Sequence, residues 1–539
     1  SPTILYLRIC KPHPLTKPKS VTRHYLNMNN LSHIANGVTS CSLEGKRILI
    51  LGARNGARSV SYFTAARKEG AFVFVAILPK HEALISSLIQ QESSEISAGI
   101  QLLVVPELYS DKNSNDVAAA LIKQAGGHVS FDCCVTFQED FVQLNADLCA
   151  IFELPGCDPK GVEATVNKYK FRQRLAELNL GSSALCATLN NFRSGNMRPT
   201  GLTFPVILKP AEGAGSVGVF LVHSMDSLLE RINMYEIKYP DRCEEWLVEE
   251  YLQGPELGVE LIMSRGECVF ASVMECSKTL PPIFQGIGRF YPTSLGNAKD
   301  QETIQECIRA AKLFGLDNAV IDIDCKHMGE GRGPVILEIN CRMGGHSVGL
   351  MHQEIFGVDL VTENFRCGCG VKTAVNRDIK PPAACFTKLV LSNRSGELKK
   401  LNFETFFNVL RDYLPENLKK KLKAARLSRE AGYHVDSEVM PAILAFVYAE
   451  GKTLAEAEAN ANILKKYASR LVNAHILTDS ENIPTILLPA IEITLRLARI
   501  LQLSHYQANR LLKAEGKYKR DALYEDEMRP RPGVMPCVM

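Results

Sequence analysis

A glycine-rich segment in the middle of the chain has residue types that could bind phosphate. The apolar run 204–210 predicts a strand in which Lys209 is next to last, and 219–222 predicts the following strand. The loop between them offers three glycines and a serine, Gly213, Gly215, Ser216 and Gly218. Glycines let backbone N–H groups converge on an anion, and a lysine adds a point charge. A plain hairpin turn is the alternative. The pattern is not a P-loop, whose lysine opens a helix.

A second segment pairs carboxylates with a turn. Residues 246–256 read Trp-Leu-Val-Glu-Glu-Tyr-Leu-Gln-Gly-Pro-Glu, which predicts a strand ending at Glu249 and Glu250. A carboxylate there could accept the amino protons of adenine, and the backbone near Leu252 could pair with a ring nitrogen. Glu256, beyond the Gly-Pro turn, could hold ribose hydroxyls. Taken alone, a glutamate pair at a strand end more commonly lies on the surface.

Acidic residues also lie in two apolar strands that a glycine-rich hairpin joins. The first strand contains Asp322 and Asp324, and the second contains Glu338, Asn340 and Arg342. Each set lies on one face of its strand because side chains alternate with a period of two. Carboxylates in apolar strands are costly unless they are paired or bind metal. The oxygen-rich set therefore predicts a Mg²⁺ site, with Mn²⁺ as an alternative. A cross-strand ion pair would explain only two of these residues.

In this order and spacing, the segments resemble the ATP-grasp family. The helix that begins at Lys168 fits, since the family places its first ATP-binding lysine there. The likeness is closest to carnosine synthases and bacterial L-amino-acid ligases, through 337–345 and 356–360, and it covers about 46–370. The resemblance favours Asp324 over Asp322 as first metal ligand, because the family's carboxylate stands two residues before a lysine. Two differences are Gln285-Gly-Ile, where relatives have Glu-Thr, and Cys341, where they have proline.

The resemblance implies an ATP-dependent carboxylate–amine ligase that acts through an acyl phosphate. Lys209 and Arg342 would then be catalytic, with Arg342 also binding substrate. Gly344 and Gly345 would let substrate approach the backbone. His346 would line the acceptor pocket, although an ordinary residue at a helix start is an equal alternative. Two other functions are open: a biotin-dependent carboxylase subunit, although the chain has no Met-Lys-Met biotin site, and a non-catalytic ATP-binding regulatory protein.

These motifs need a mixed α/β framework. Apolar runs at 46–51, 71–77, 100–105 and 131–136 alternate with helical patterns, which predicts a doubly wound parallel sheet. We expect an ATP-grasp fold preceded by this domain and followed by an α+β lobe and a helical extension. The predicted units are a leader at 1–45, a Rossmann-like domain at 46–155, the ATP-grasp domain at 156–382 with a lid at about 187–252, the lobe at 383–480, and an extension with an irregular tail at 481–539. The basic run 419–429 is predicted to be helical.

The amino-acid composition limits the classes of molecule that the protein is expected to bind. The net charge of +3 is too small to indicate nucleic acid or a membrane surface, and 17 cysteines lack a disulfide framework. We expect small-molecule substrates, an amino acid or small carboxylic acid plus an amine, and a homodimer as one possible assembly. The basic leader has no acidic residue before Glu44. It is compatible with an organellar targeting segment, and otherwise the protein is expected to be cytoplasmic.

Overall fold

The computed structural model describes residues 41–477, with internal gaps. The gaps are 54–55, 109–112, 179, 181–182, 196–198, 214, 240–244, 279–283, 285, 330, 376–379, 393–394, 400, 402–404, 430–432 and 436–441. Most of the predicted leader, the extension 481–539 and Gln285 therefore lie outside the described residues. None of the described helices is both long and apolar enough to cross a membrane.

The N-terminal part is a parallel sheet covered on both faces, as predicted. Its strands are β1 Arg47–Leu51, β2 Phe72–Ile77, β3 Ile100–Val104 and β4 Cys133–Thr136, and its helices are α1 Ala57–Lys68, α2 Glu82–Ile89, α3 Ser94–Ser97, α4 Ser114–Gln124 and α5 Val142–Ile151. The strand order is β3-β2-β1-β4, all parallel. Ile48 and Ile50 pack in one core with Phe63 of α1, while Leu49 packs on the opposite face with Leu121 of α4. This alternation explains the continuous apolar run in β1.

Two helices, α6 Pro159–Val166 and α7 Lys168–Glu177, lead to a small antiparallel sheet, which lies in the range predicted as a lid and is called the lid below. In chain order its elements are β5 Cys186–Thr188, α8 Leu189–Ser194, β6 Val206–Pro210, β7 Phe220–Val222, α9 Met225–Lys238 and β8 Trp246–Glu250. The strand order β5-β8-β6-β7 places the glycine-rich loop between β6 and β7. The buried side chains of Phe192, Leu228 and Trp246 form the core of this lid.

A large antiparallel sheet forms the floor of the site. The elements from here to the last described residue are β9 Glu256–Ser264, β10 Glu267–Lys278, β11 Gly286–Tyr291, α10 Asn297–Leu313, β12 Ala319–His327, β13 Pro334–Asn340, α11 Val348–Phe356, α12 Leu360–Gly368, β14 Ala384–Ser392, β15 Gly396–Leu398, α13 Phe406–Tyr413, α14 Glu416–Lys419, β16 Ala424–Leu427, β17 His434–Val435, β18 Ala442–Gly451, α15 Leu454–Asn473 and β19 Ile476–Leu477. Eight of these strands pair in the order β13-β12-β9-β10-β11-β14-β18-β16, and β17-β15-β19 form a small separate sheet.

Two expectations about the C-terminal region change in the structure. The sheet crosses the predicted boundary at 382, because β11 pairs with β14 through Phe290 and Phe386, whose rings stack 4.7 Å apart. The prediction of a helix over 419–429 is wrong. Only the end of the short helix α14 falls there, and 424–427 form strand β16, which pairs with β18. In β16 only Arg426 is exposed, and the lysines that precede this short strand gave the segment the appearance of a basic helix.

Candidate active site

A cavity of about 610 Å³ lies where the lid, the large sheet and the N-terminal domain meet. All but two of the predicted site residues line it. These are Lys168, Lys209, Gly213, Gly215, Ser216, Glu249, Glu250, Leu252, Glu256, Asp324, Glu338, Asn340, Arg342, Gly345 and His346. Residues predicted separately as phosphate, adenine and metal ligands therefore share one enclosed space.

The two exceptions are Gly218 and Gly344, which were predicted to contact ligand but instead pack against other parts of the protein. A Cβ added to Gly218 would lie 2.8 Å from the Tyr235 ring, so this glycine allows the loop to pack on α9. The N–H of Gly344 donates to Oε1 of Glu260 at 3.1 Å, beneath the cavity wall. Both positions require glycine for close approach rather than for a place in the lining.

The glycine-rich loop is attached to the start of α7. The backbone N–H of Lys168 donates to the carbonyl of Ala211 at 2.9 Å, and Nζ of Lys168 donates to the carbonyl of Gly213 at 2.8 Å. The same Nζ lies 3.7 Å from Oε2 of Glu338. Lys168 therefore links the loop to the acidic strand across the cavity, where it can contact a phosphate bound between them.

Lys209, Glu249 and Arg172 form a buried charge cluster beside that loop. Nζ of Lys209 lies 2.6 Å from Oε2 of Glu249, and Nε of Arg172 lies 3.0 Å from Oε1. Burial by itself raises the pKa of Glu249, but Arg172 and then Lys209 outweigh it and lower the pKa to about 2. Burial is also the main reason that the pKa of Lys209 is lowered. Glu249 is therefore ionised and held by two cations at the cavity wall.

The rest of the adenine segment is positioned by two cations from β12 and its hairpin. Both carboxylate oxygens of Glu250 accept hydrogen bonds from Arg332, at 2.6 and 2.8 Å, which lower the pKa of Glu250. Nζ of Lys326 donates to the carbonyl of Leu252 at 3.1 Å. The side chain of Glu250 is thus occupied by protein, while the backbone around Leu252 is held in place.

The acidic strands meet in the register that the alternation predicts. In the β12–β13 hairpin, Asp324 lies opposite Glu338, and Asp322 lies opposite Asn340. Nδ2 of Asn340 donates to Oδ2 of Asp322 at 3.4 Å. Burial, followed by the charge of Asp322, raises the pKa of Asp324 well above its ordinary value. A hard divalent cation relieves this kind of repulsion and prefers oxygen ligands, so the donor set fits Mg²⁺.

The comparisons with known proteins agree with this geometry. Residues 202–349 match the ATP-grasp domain family. The chain contains an ATP-grasp domain. The model superposes on an L-amino acid ligase from Bacillus licheniformis with a TM-score of 0.60 and 16% identity, over 79% of this chain and 98% of the ligase. The predicted ATP-grasp fold, with its preceding parallel-sheet domain, is confirmed.

Two curated relatives extend the similarity beyond this domain. Carnosine synthase 1 of Homo sapiens is 26% identical over 360 residues, which cover 62% of this chain and 41% of that protein. Alanine–anticapsin ligase of Bacillus subtilis is 24% identical over 353 residues, which cover 59% of this chain and 73% of that protein. The chain thus spans well under half the length of the carnosine synthase that it matches. The predicted resemblance to these two groups is confirmed.

Three charged residues at the ATP-grasp cavity were not among the predicted site residues. The sequence pattern indicates only that Arg172 belongs to a helix. In the structure it lies one turn after Lys168 and is buried against Glu249. Glu139 belongs to the N-terminal domain, and its Oε2 lies 2.5 Å from Nη2 of Arg342. Burial raises the pKa of Glu139, although Arg342 opposes this shift. Nothing in the local sequence indicated that Glu139 would meet a residue some 200 positions later.

Arg289 is the third, and it extends over the floor of the ATP-grasp cavity. Its Nη2 lies 3.9 Å from Oδ1 of Asp322 and 3.8 Å from Oδ1 of Asp324. A Cβ at Gly258 would lie only 1.6 Å from Nη1, so glycine in β9 creates the space for this guanidinium. Burial lowers the pKa of Arg289, but Cys276 and the neighbouring carboxylates outweigh this and raise it. A glycine inside an otherwise apolar strand was the available sequence signal.

Proposed function

We propose that this protein is an ATP-dependent ligase that joins a carboxylate to an amine and releases ADP and phosphate. The observation that carries the proposal is one cavity containing the glycine-rich loop with its two lysines, the Asp324–Glu338 pair and Arg342. The names of the two curated relatives, a carnosine synthase and an alanine–anticapsin ligase, support an amino acid as one substrate.

The lid half of the cavity would bind ATP. Backbone N–H groups near Gly213, Gly215 and Ser216, together with Lys168 and Lys209, would bind the phosphates. Glu249 would accept from the adenine amino group, the backbone near Leu252 would pair with the ring, and Glu256 would hold the ribose. Because the side chain of Glu250 is occupied by Arg332, any contribution from Glu250 would come from its backbone.

The opposite wall would hold the metal. Asp324, Glu338 and Asn340 would bind Mg²⁺, with Mn²⁺ as a possible substitute. The ion supplies positive charge between these oxygens and the triphosphate, which reduces the repulsion that an anionic substrate meets there. Lys168, 3.7 Å from Glu338, adds to the same effect.

The first chemical step would be phosphoryl transfer to the acid. A substrate carboxylate oxygen attacks the γ-phosphorus, the bond from that phosphorus to the bridging oxygen breaks, and ADP leaves. The product is an acyl phosphate, whose phosphate is a far better leaving group than the oxide of a free carboxylate. Arg342, held by Glu139 and by its bond to the Met343 carbonyl, would stabilise the transferring phosphoryl group.

The second step would form the amide. The amine nitrogen attacks the carbonyl carbon, Arg342 stabilises the tetrahedral oxyanion, and the carbon–oxygen bond to phosphate breaks as nitrogen loses a proton. This route needs no serine or cysteine nucleophile. A hydrogen bond with Cys307, followed by burial, raises the pKa of Cys325 well above its ordinary value, which favours an unreactive thiol.

The experiment is nucleotide analysis of the purified chain with Mg²⁺ and amino acids, singly and in pairs. We expect ADP and phosphate, and we expect hydroxylamine to trap a hydroxamate when the acid is present without the amine. AMP and pyrophosphate would refute the acyl-phosphate mechanism. ADP release that requires bicarbonate and biotin, and no amino acid, would establish the carboxylase alternative instead. ATP binding without turnover under any of these conditions would favour the regulatory alternative.

A further inference from the structure

Four arginines converge on the part of the cavity that surrounds His346. We call this part the arginine chamber and define it by the guanidinium groups of Arg58, Arg289, Arg342 and Arg429, all of which line the cavity. Arg58 comes from α1 of the N-terminal domain, Arg289 from β11, Arg342 from the segment after β13, and Arg429 from the segment after β16. Four separate segments of the chain therefore contribute positive charge to one space.

His346 lines the same cavity as these arginines, and its side chain is exposed there. The surrounding protein, followed by the charges of Arg58, Arg429, Arg289 and Arg342, lowers the pKa of His346. His346 is therefore neutral at physiological pH and adds no charge of its own. The backbone of His346 has a φ of 51°, in the left-handed region of backbone conformation, and forms a sharp turn just before α11.

Within the described part of the chain, two of the four guanidinium groups have acidic partners and two have none. Arg289 lies near Asp322 and Asp324, and Arg342 lies near Glu139. Among the residues that the structure describes, Arg58 and Arg429 form no ion pair with a carboxylate. Nε of Arg58 donates to the hydroxyl of Tyr62 at 2.7 Å, and the guanidinium carbon of Arg429 lies 4.9 Å from the ring centre of Tyr433.

Apolar and aromatic side chains line the same cavity as the four arginines. The rings of Tyr62 and Phe137 lie 4.2 Å apart, and Leu389 and Ile443 line the cavity from the C-terminal strands. An apolar wall beside two guanidinium groups that lack a carboxylate partner suits a short methylene chain that ends in an anion. A neutral or cationic side chain would leave both guanidinium groups partly desolvated without an anion.

We propose that the acid substrate carries two anionic groups, of which the reacting carboxylate lies at Arg342 and the second binds Arg58 and Arg429; we call such an acid a dianion, whether or not it also carries an ammonium group. The second group is a carboxylate, as in an acidic amino acid, or a phosphate. This inference rests on the proposed function, because it names the class of acid that the ligase activates. Arg58 and Arg429 act on binding and specificity, since they hold the end of the substrate that does not react.

Binding measured without the amine tests the inference directly. The full chain is titrated by calorimetry with L-glutamate, glutarate and O-phospho-L-serine, in the presence of Mg²⁺ and a non-hydrolysable ATP analogue. L-glutamine and butyrate are the matched acids with a single anionic group, which we call monoanions. We expect at least one dianion to bind roughly 10- to 100-fold more tightly than its matched monoanion, as charge-assisted hydrogen bonds suggest. The glutamate and phosphoserine arms distinguish carboxylate from phosphate.

Variants then assign the effect to the two arginines. Arg58→Gln and Arg429→Gln should each weaken dianion binding roughly 10- to 100-fold while changing monoanion binding less than about threefold, and the lysine variants should restore part of the loss. Arg309→Gln is the matched control, because Arg309 is exposed on α10 and pairs with Glu306. Equal binding of dianions and monoanions, or equal effects of all three glutamine variants, would overturn the inference.

Turnover separates this inference from the proposed function. One outcome is ADP release with acids that have no second anionic group, at a rate that Arg58→Gln and Arg429→Gln do not change. This outcome would support the ligase function and refute the proposal of a dianionic substrate. The opposite outcome is tight dianion binding that both variants abolish, together with no ADP release for any amine. This outcome would support the anion-binding site and refute the ligase function.

Discussion

Replacing Arg172 with methionine tests whether the adenine end of the site depends on a residue that contacts no cavity ligand itself. Arg172 is 4% exposed, and it donates to both oxygens of Glu249, at 3.0 and 3.4 Å. It also donates to the carbonyls of Ile336 and Leu337, each at 2.9 Å. Methionine keeps much of the apolar stem but removes every one of these hydrogen bonds. Of the described residues, Lys209 would be the one cation left paired with Glu249.

The expected loss of stability follows from the charge of Glu249. Its two cations lower its pKa from 4.5 to about 2 in spite of burial, which corresponds to about 3 kcal/mol at neutral pH at 1.36 kcal/mol per pKa unit. Arg172 contributes part of this amount, and the two carbonyls left without a donor add about 1 kcal/mol or more each. Removing one partner of a buried ion pair typically costs about 3–5 kcal/mol. We therefore expect Arg172→Met to decrease the free energy of unfolding by about 3–5 kcal/mol.

The assay is urea unfolding followed by circular dichroism and by the fluorescence of Trp246, the single tryptophan, which is buried in the lid. The folded variant should also show a KM for ATP raised roughly tenfold, because Glu249 and Lys209 lose their fixed position. Arg174→Met is the matched control, since Arg174 lies on the same helix in an exposed ion pair with Glu177. A loss below about 1 kcal/mol for Arg172→Met, or an equal loss for the control, would refute the reasoning.

Three further predictions concern the metal, the nucleotide and pH. Glu338→Gln should abolish Mg²⁺-dependent ADP release without changing urea unfolding, and unchanged turnover would remove Glu338 from the metal site. Lys209→Ala should weaken ATP binding by about 2–5 kcal/mol in equilibrium titrations, and wild-type affinity would place the nucleotide elsewhere. The pKa of His346 is about 3 in the fold and 6.5 when unfolded, so the unfolded chain binds more protons between these values and stability falls as pH drops below 6.5. Because the side chain of His346 is exposed, solvent screening keeps this loss small. His346→Asn, which tolerates positive φ, should lack the loss when urea unfolding is compared at pH 7 and pH 5.

The sequence was sufficient for features that depend on neighbours along the chain. The apolar run 46–51 predicted a buried parallel strand, and the glycine-rich hairpin between two apolar strands predicted their pairing. Because side chains alternate with a period of two, Asp324 and Glu338 had to lie on the same faces as Asp322 and Asn340, and the observed register agrees. Short-range geometry therefore specified the group of side chains that we propose to bind metal.

The tertiary structure decided what depends on residues that are distant in sequence. Only the packing of α7 against β8 shows that Arg172 meets Glu249, and only the docking of the N-terminal domain shows that Glu139 meets Arg342. Likewise, Arg58 and Arg429 have no local pattern that marks them as ligands, and they line one cavity only because two distant segments fold against the same sheet. Local periodicity specifies which face of a strand or helix a residue occupies. Which faces meet is set by burial of the shared apolar cores, and that is a property of the whole chain.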